Sequence, residues 1–135
     1  MPTAFLSISF AHKDAFTAEI ASIRDALAQY GVALFVFVEA YQFTAEQAAE
    51  MMQTAVAELR KADFLIAEVT HKAIGVGVEV GYTAALGREI IYIRRKNSAV
   101  STTVSGLASH TIVYETPTDL GQQLRLLWTK KEQKE

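Results

Sequence analysis

The chain contains no cysteine, which excludes disulfide bridges and thiolate metal sites and fits a cytoplasmic protein. Long apolar runs are also missing. None approaches the roughly 20 residues needed to cross a bilayer, so no membrane association is expected. The opening Met1-Pro2-Thr3-Ala4-Phe5-Leu6 lacks the basic region and cleavage site of a signal peptide. An excess of positive charge is missing too. A formal net charge of −2 argues against a broad electrostatic footprint for nucleic acid. With two prolines and seven glycines there is no low-complexity segment, repeat or domain-scale linker. The sequence has no Gly-x-Ser-x-Gly elbow, Walker A lysine or His-Glu-x-x-His helix. His12, His71 and His110 are too scattered to suggest a metal site, and no cofactor is implied.

What remains is a chain of 135 residues, half of them hydrophobic, enough for one ordinary core. Residues 1–130 read as a single domain and 131–135 as a charged tail, solvated and frayed from Lys130 onward. Strand-like apolar runs alternate with helix-period segments, the pattern of a parallel sheet covered on both faces. The first strand is Ala4 to Phe10. Asp14 is placed as N-cap of a helix burying Phe16, Ile20, Ile23 and Leu27, and Gly31 ends that helix. A second strand, Ala33 to Val38, is continuously apolar and reads as interior. Thr44 and Gln47 form a capping-box signature for a helix to about Lys61, with Ala45, Ala48, Met52, Val56 and Leu59 inward. The third strand, Asp63 to Val69, leads through a glycine loop into a helix from about Val76 to Leu86, closed by Gly87. Glu89 to Arg94 and Thr111 to Tyr114 read as the last strands, around a polar segment at Asn97 to Ser105. Pro117 opens a final helix burying Leu120, Leu124 and Leu127. The whole predicts a flavodoxin-like, doubly wound five-stranded parallel sheet of order 2-1-3-4-5. Ligands of such sheets bind at the switch point, so function is expected in Ser7 to Lys13, Val69 to Glu79 and the loop after Arg94.

Gly75 and Gly77 stand at the start of the third expected helix, where glycine permits tight turns and close approach of a ligand to free N–H groups. The pattern also suits a plain turn, since the third glycine of a dinucleotide fingerprint is missing. Glu79 is placed in the first turn of that helix, flanked by Val78 and Val80. Such a carboxylate could attack an anomeric carbon or serve as a base, and equally could be an ordinary helix glutamate satisfying the dipole. Glu68 interrupts an apolar strand and needs a partner or a task. His71, on the following loop, is a candidate acid or simply a solvated residue. Ser101, Thr103 and their hydroxyl-rich neighbours after Arg94-Arg95-Lys96 could hold a phosphate or sugar, or could merely connect two elements.

The runs Ala62-Asp63-Phe64-Leu65-Ile66-Ala67-Glu68-Val69-Thr70, Gly75-Val76-Gly77-Val78-Glu79-Val80-Gly81-Tyr82 and Arg88-Glu89-Ile90-Ile91-Tyr92-Ile93 resemble the nucleoside 2-deoxyribosyltransferases. The pattern is nearest the 2′-deoxynucleoside 5′-phosphate N-hydrolase branch. The resemblance is dense from Ala62 to Gly106 and thin before it. It implies that Glu79 is the nucleophile, that Ser9 and Tyr82 help bind a nucleoside or nucleotide, and that Ser101 reaches the substrate of a neighbouring subunit in a homodimer.

Three positions depart from the family pattern. Ala55 stands where relatives carry an acidic residue, Phe5 replaces a tyrosine, and Ala73 replaces an aspartate or serine. The exit of the first strand, Ser9-Phe10-Ala11-His12-Lys13-Asp14, lacks the usual glycine-rich form and looks a little like short TIR-type domains. The expectation is therefore cleavage or transfer at an N-glycosidic bond, with Glu68 or His71 substituting for the missing acid. The alternatives are a non-catalytic nucleotide-binding or sensing module using the same cleft, and a TIR-like NAD glycohydrolase.

Overall fold

Strand alternation sorts the apolar side chains of this chain into two cores. In a computed structural model that describes residues 1–133, β1 (Thr3–Ile8), β2 (Ala33–Val36), β3 (Phe64–Glu68), β4 (Ile90–Arg95) and β5 (His110–Tyr114) form one sheet. All pairings are parallel and the order is β2-β1-β3-β4-β5. Ala4, Leu6, Ile66, Ile91 and Ile93 face one side, where α1 (Thr17–Ala28) and α6 (Pro117–Gln133) supply Ile20, Ile23, Leu27, Leu120 and Leu124. Phe5, Leu65, Ala67, Ile90 and Tyr92 face the other side, against α3 (Ala48–Lys61), α4 (Ile74–Ala85) and α5 (Thr102–Leu107), which bring Leu59, Val76, Val80 and Val104. The flavodoxin-like, doubly wound arrangement expected from the sequence is thus the observed one.

Local signals for helix ends hold where they rest on backbone conformation. Gly31 and Gly87 have φ of +72° and +73°, the left-handed geometry that follows a helix. The Thr44–Gln47 capping box forms, with a short 3-10 turn at Ala45–Gln47 before α3. Thr116 Oγ1 accepts from the Asp119 N–H at 3.0 Å and caps α6.

Several expected boundaries move. β1 stops at Ile8, and residues 10–16 wind into a 3-10 helix, so Asp14 caps nothing. β2 is an edge strand, not an interior one, and gives way at Phe37 to the single turn α2 (Phe37–Ala40). Its continuous apolarity has another cause. Leu34 and Val38 pack against the first core while Phe35 and Phe37 pack against the second, so even this edge is covered on both faces. Along α3, Ala55 and Leu59 are buried, whereas Ala45, Ala48 and Met52 of the expected inward stripe stay exposed. At the end of the chain, α6 continues through Gln133, and Lys131 Nζ binds Glu89 at 3.0 and 3.1 Å instead of fraying. Lys134 and Glu135 of the expected tail lie outside the described residues. Among the described residues no helix is long and apolar enough to cross a membrane.

Candidate active site

At the C-terminal edge of the sheet, chain direction diverges between β1 and β3, and a cavity of about 520 Å³ opens there. Its walls are the exit of β1 (Ile8, Ser9, Phe10), the segment from Phe37 to Ala45, the α3 side chains Ala48, Met51, Met52 and Ala55, and the start of α4. Among the described residues, Glu79 is the one charged side chain on this wall.

The carboxyl of Glu79 is half-buried and accepts a hydrogen bond from Ser7 Oγ to its Oε1 at 2.5 Å. Burial disfavours its charged form and the Ser7 bond only partly offsets this, so its pKa is pushed up from 4.5 to about 7. α4 begins at Ile74, earlier than expected, which puts Gly75 and Gly77 inside the helix and Glu79 in its second turn. The dipole effect fades beyond the first turn, so burial prevails over it. Gly75 lines the cavity and Gly77 does not. At both, nothing beyond the adjoining residues and the helix's own backbone lies within 4 Å of where a Cβ would be.

Ser7 was not singled out by the sequence, although a signal existed. Phe5, Ser7 and Ser9 alternate along β1 and so share a face, the one that α4 covers. Ser9 lines the cavity, with its Oγ 3.0 Å from His12 Nδ1. Removing the Ser7 hydroxyl takes away the one group that stabilises the Glu79 carboxylate. For a mechanism that needs this carboxylate ionised, Ser7→Ala is expected to shift the acid limb of the kcat/KM–pH profile upward from about 7. An unmoved limb would uncouple Ser7 from the titrating group.

Glu68 and His71 do not join Glu79, which corrects the expectation that they assist it. On β3, Ala67 points to the α4 side, so Glu68 points to the α1 and α6 side, next to Ile66 in that alternation. There, 2% exposed, it accepts from the Tyr114 hydroxyl at 2.5 Å, the Thr70 N–H at 2.6 Å and Thr70 Oγ1 at 2.9 Å. Desolvation raises its pKa against those hydrogen bonds. The Tyr114 hydroxyl also lies 3.4 Å from Glu19, which binds Arg95 through Nη2 at 2.6 Å and Nε at 2.9 Å. His71 stacks on His12 at 3.8 Å between centroids and meets Phe16 edge-on. Partial desolvation and the charges of His12 and Arg95 lower its pKa. Only the need of Glu68 for a partner was legible in the sequence; the Glu19–Arg95–Tyr114–Glu68 network itself joins four separate elements.

The remaining expected site residues also point elsewhere. The Tyr82 hydroxyl accepts from Arg60 Nε at 2.6 Å, away from the cavity. Ser101 caps α5, accepting from the Val104 N–H, while its own N–H donates to the Tyr92 hydroxyl at 2.9 Å. Thr103 is exposed on the surface of α5. Neither serine nor threonine of this segment lines the cavity. Of the three departures, Ala55 and Ala73 do line it, and Phe5 is fully buried beneath it against Phe35 and Phe37.

A sequence profile described as nucleoside 2-deoxyribosyltransferase matches residues 5–120, most of the chain and the whole of the cavity wall. The chain belongs to this family. Within the curated proteins, the 5-hydroxymethyl-dUMP N-hydrolase of Mus musculus is 48% identical over 40 residues, 30% of this chain and 23% of that protein. The chain thus matches under a quarter of that relative's length. Among solved structures, the CMP N-glycosidase of Clostridium botulinum superposes with a TM-score of 0.69 at 20% identity, covering 93% of this chain and 98% of that one. A 2-deoxyribosyltransferase from Bacillus psychrosaccharolyticus gives 0.67 at 14% identity, with 90% and 95% covered. These two likenesses establish the family's α/β fold for this chain.

Proposed function

We propose that this family member acts at the N-glycosidic bond of a nucleoside or nucleotide, with Glu79 as the nucleophile. The observation that carries this reading is the position of Glu79, among the described residues the one charged side chain on the cavity wall at the switch point, held by Ser7. A carboxylate oxygen attacks the anomeric carbon while the carbon–nitrogen bond breaks and its electron pair passes to the base. The base then takes up a proton. With alanine at positions 55 and 73, no side-chain acid on those walls supplies it, and solvent at the cavity mouth is the donor. Water next cleaves the glycosyl ester and regenerates Glu79, or a second base accepts the sugar.

The same two alanines favour a second reading, a module that binds nucleotides without turnover. Incubation with a panel of nucleosides, nucleoside monophosphates and NAD, followed by chromatography, separates the readings. Free base is expected from at least one compound. Saturable binding with no base released after long incubation at high protein concentration would replace the enzyme by the binding module. Release of nicotinamide from NAD alone would favour the TIR-like alternative.

The proposed assembly is a homodimer. Ile74 (89% exposed) and Val78 sit one turn apart on α4, and Val100 before α5 and Leu107 at its end are also exposed, apolar surface that a second copy would cover. Light scattering that returns a monomer mass at working concentration would remove this assignment.

A further inference from the structure

Among the described residues, every polar side chain on the cavity wall has a partner within the protein, Glu79 with Ser7 included. Ser9 Oγ is paired with His12, the Tyr41 hydroxyl donates to Glu58 at 3.2 Å, and Thr44 Oγ1 donates to Gln47 at 3.3 Å. The rest of the wall is hydrocarbon and ring. Phe37, Tyr41 and Phe43 form a mutual stack with centroids 5.3 to 6.2 Å apart, facing Met51 and Met52 of α3. Apolar surface here is also left open to solvent, with Phe10 at the mouth 63% exposed and Met52 36% exposed.

Such a wall offers area and stacking but few side-chain hydrogen bonds. Sites that distinguish bases by their hydrogen-bonding edges keep polar groups free to do so. Here, an unmodified base would lose water from its polar edge and find only the spare acceptor sites of three hydroxyls already in use as side-chain partners. A hydrocarbon substituent on that edge reverses the balance, because it adds apolar area against the methionines and rings. Methionine suits the task, since its unbranched thioether adapts to irregular shapes. Building on the N-glycosidic reading, we propose that the cavity selects N-glycosides whose base carries an apolar alkyl or aryl substituent. Phe43 and Met52 are the specificity-determining side chains. The volume falls inside the span of about 300–1,000 Å³ that encloses ligands of that size.

The test is calorimetric titration of the Glu79→Gln protein, which keeps the wall and removes the nucleophile. The probes are 2′-deoxyadenosine, N6-benzyl-2′-deoxyadenosine and the 5′-monophosphate of each. Within each pair the benzyl compound is expected to bind about tenfold tighter or more. Adding Phe43→Ala, or Met52→Asn if the first variant melts early, is expected to erase most of that advantage. Equal or weaker binding of the benzyl compounds overturns the proposed selectivity and leaves the N-glycosidic reading to its own base-release assay. Failure of all four to bind overturns the selectivity and removes the nucleoside cavity itself.

Discussion

Glutamine at position 79 is expected to stop base release, lowering kcat by about three orders of magnitude or more. The substitution keeps the shape of the side chain and an oxygen that can accept from Ser7, but removes the atom that attacks carbon. A rate within tenfold of the parent would eliminate Glu79 as the nucleophile. Stability provides the control, and its sign is opposite. The folded chain holds the Glu79 proton up to about pH 7, whereas the unfolded chain releases it near 4.5. Below 4.5 both states carry the proton and this group contributes nothing to the pH dependence. As pH rises from 4.5 to 7, the unfolded state is favoured increasingly, and above 7 the penalty levels off. Glu79→Gln escapes that penalty. Discounted for partial exposure, it is expected to be about 2 kcal/mol more stable than the parent at pH 8, with little difference at pH 4.5. Urea melts at the two pH values measure this. Inactivity combined with greater stability separates lost chemistry from lost folding.

Arg95→Met is expected to destabilise the chain by about 3 kcal/mol in urea unfolding. Arg95 holds Glu19, which is 4% exposed, through two donors and also donates to the Ala15 carbonyl at 2.8 Å. Its guanidinium lies 3.9 Å over the Phe16 ring, a contact that methionine only partly replaces. Without Arg95, a buried carboxylate keeps only a long contact to Tyr114 at 3.4 Å. Much of the loss is the cost of an unpaired charge, not the worth of the pair. The double variant Glu19→Gln with Arg95→Met is therefore expected to recover most of the stability. Additive losses in that cycle would show that the two residues act independently.

The network explains why Glu68 is unavailable to the cavity, and how much of that was legible. The sequence marked Glu68 as a strand residue in need of a partner, and the partner exists. Parity along β3 already separated it from Glu79, because residues 67 and 68 must face opposite sides of the sheet. His71 is different. Its stack on His12 depends on how the 3-10 helix after β1 meets the loop after β3, which no local pattern specifies. The apolar stripe of α3 predicts core because periodicity reports which face is apolar, not what covers it. Ala48 and Met52 face the cavity instead of packed protein.

The sequence by itself determined the sheet order, the helix stops at Gly31 and Gly87, the capping box and the family pattern around Glu79. These are properties of short segments: alternation, spacing and backbone freedom. Only the tertiary structure decided which polar groups meet. It joined Ser7 to Glu79 across 72 positions and Tyr114 to Glu68 across 46. It also closed the Phe37–Tyr41–Phe43 stack over the cavity. Hydrogen bonds and desolvation depend on distances of a few ångströms between segments far apart in the chain. The acidity of Glu79 therefore exists only in the folded protein.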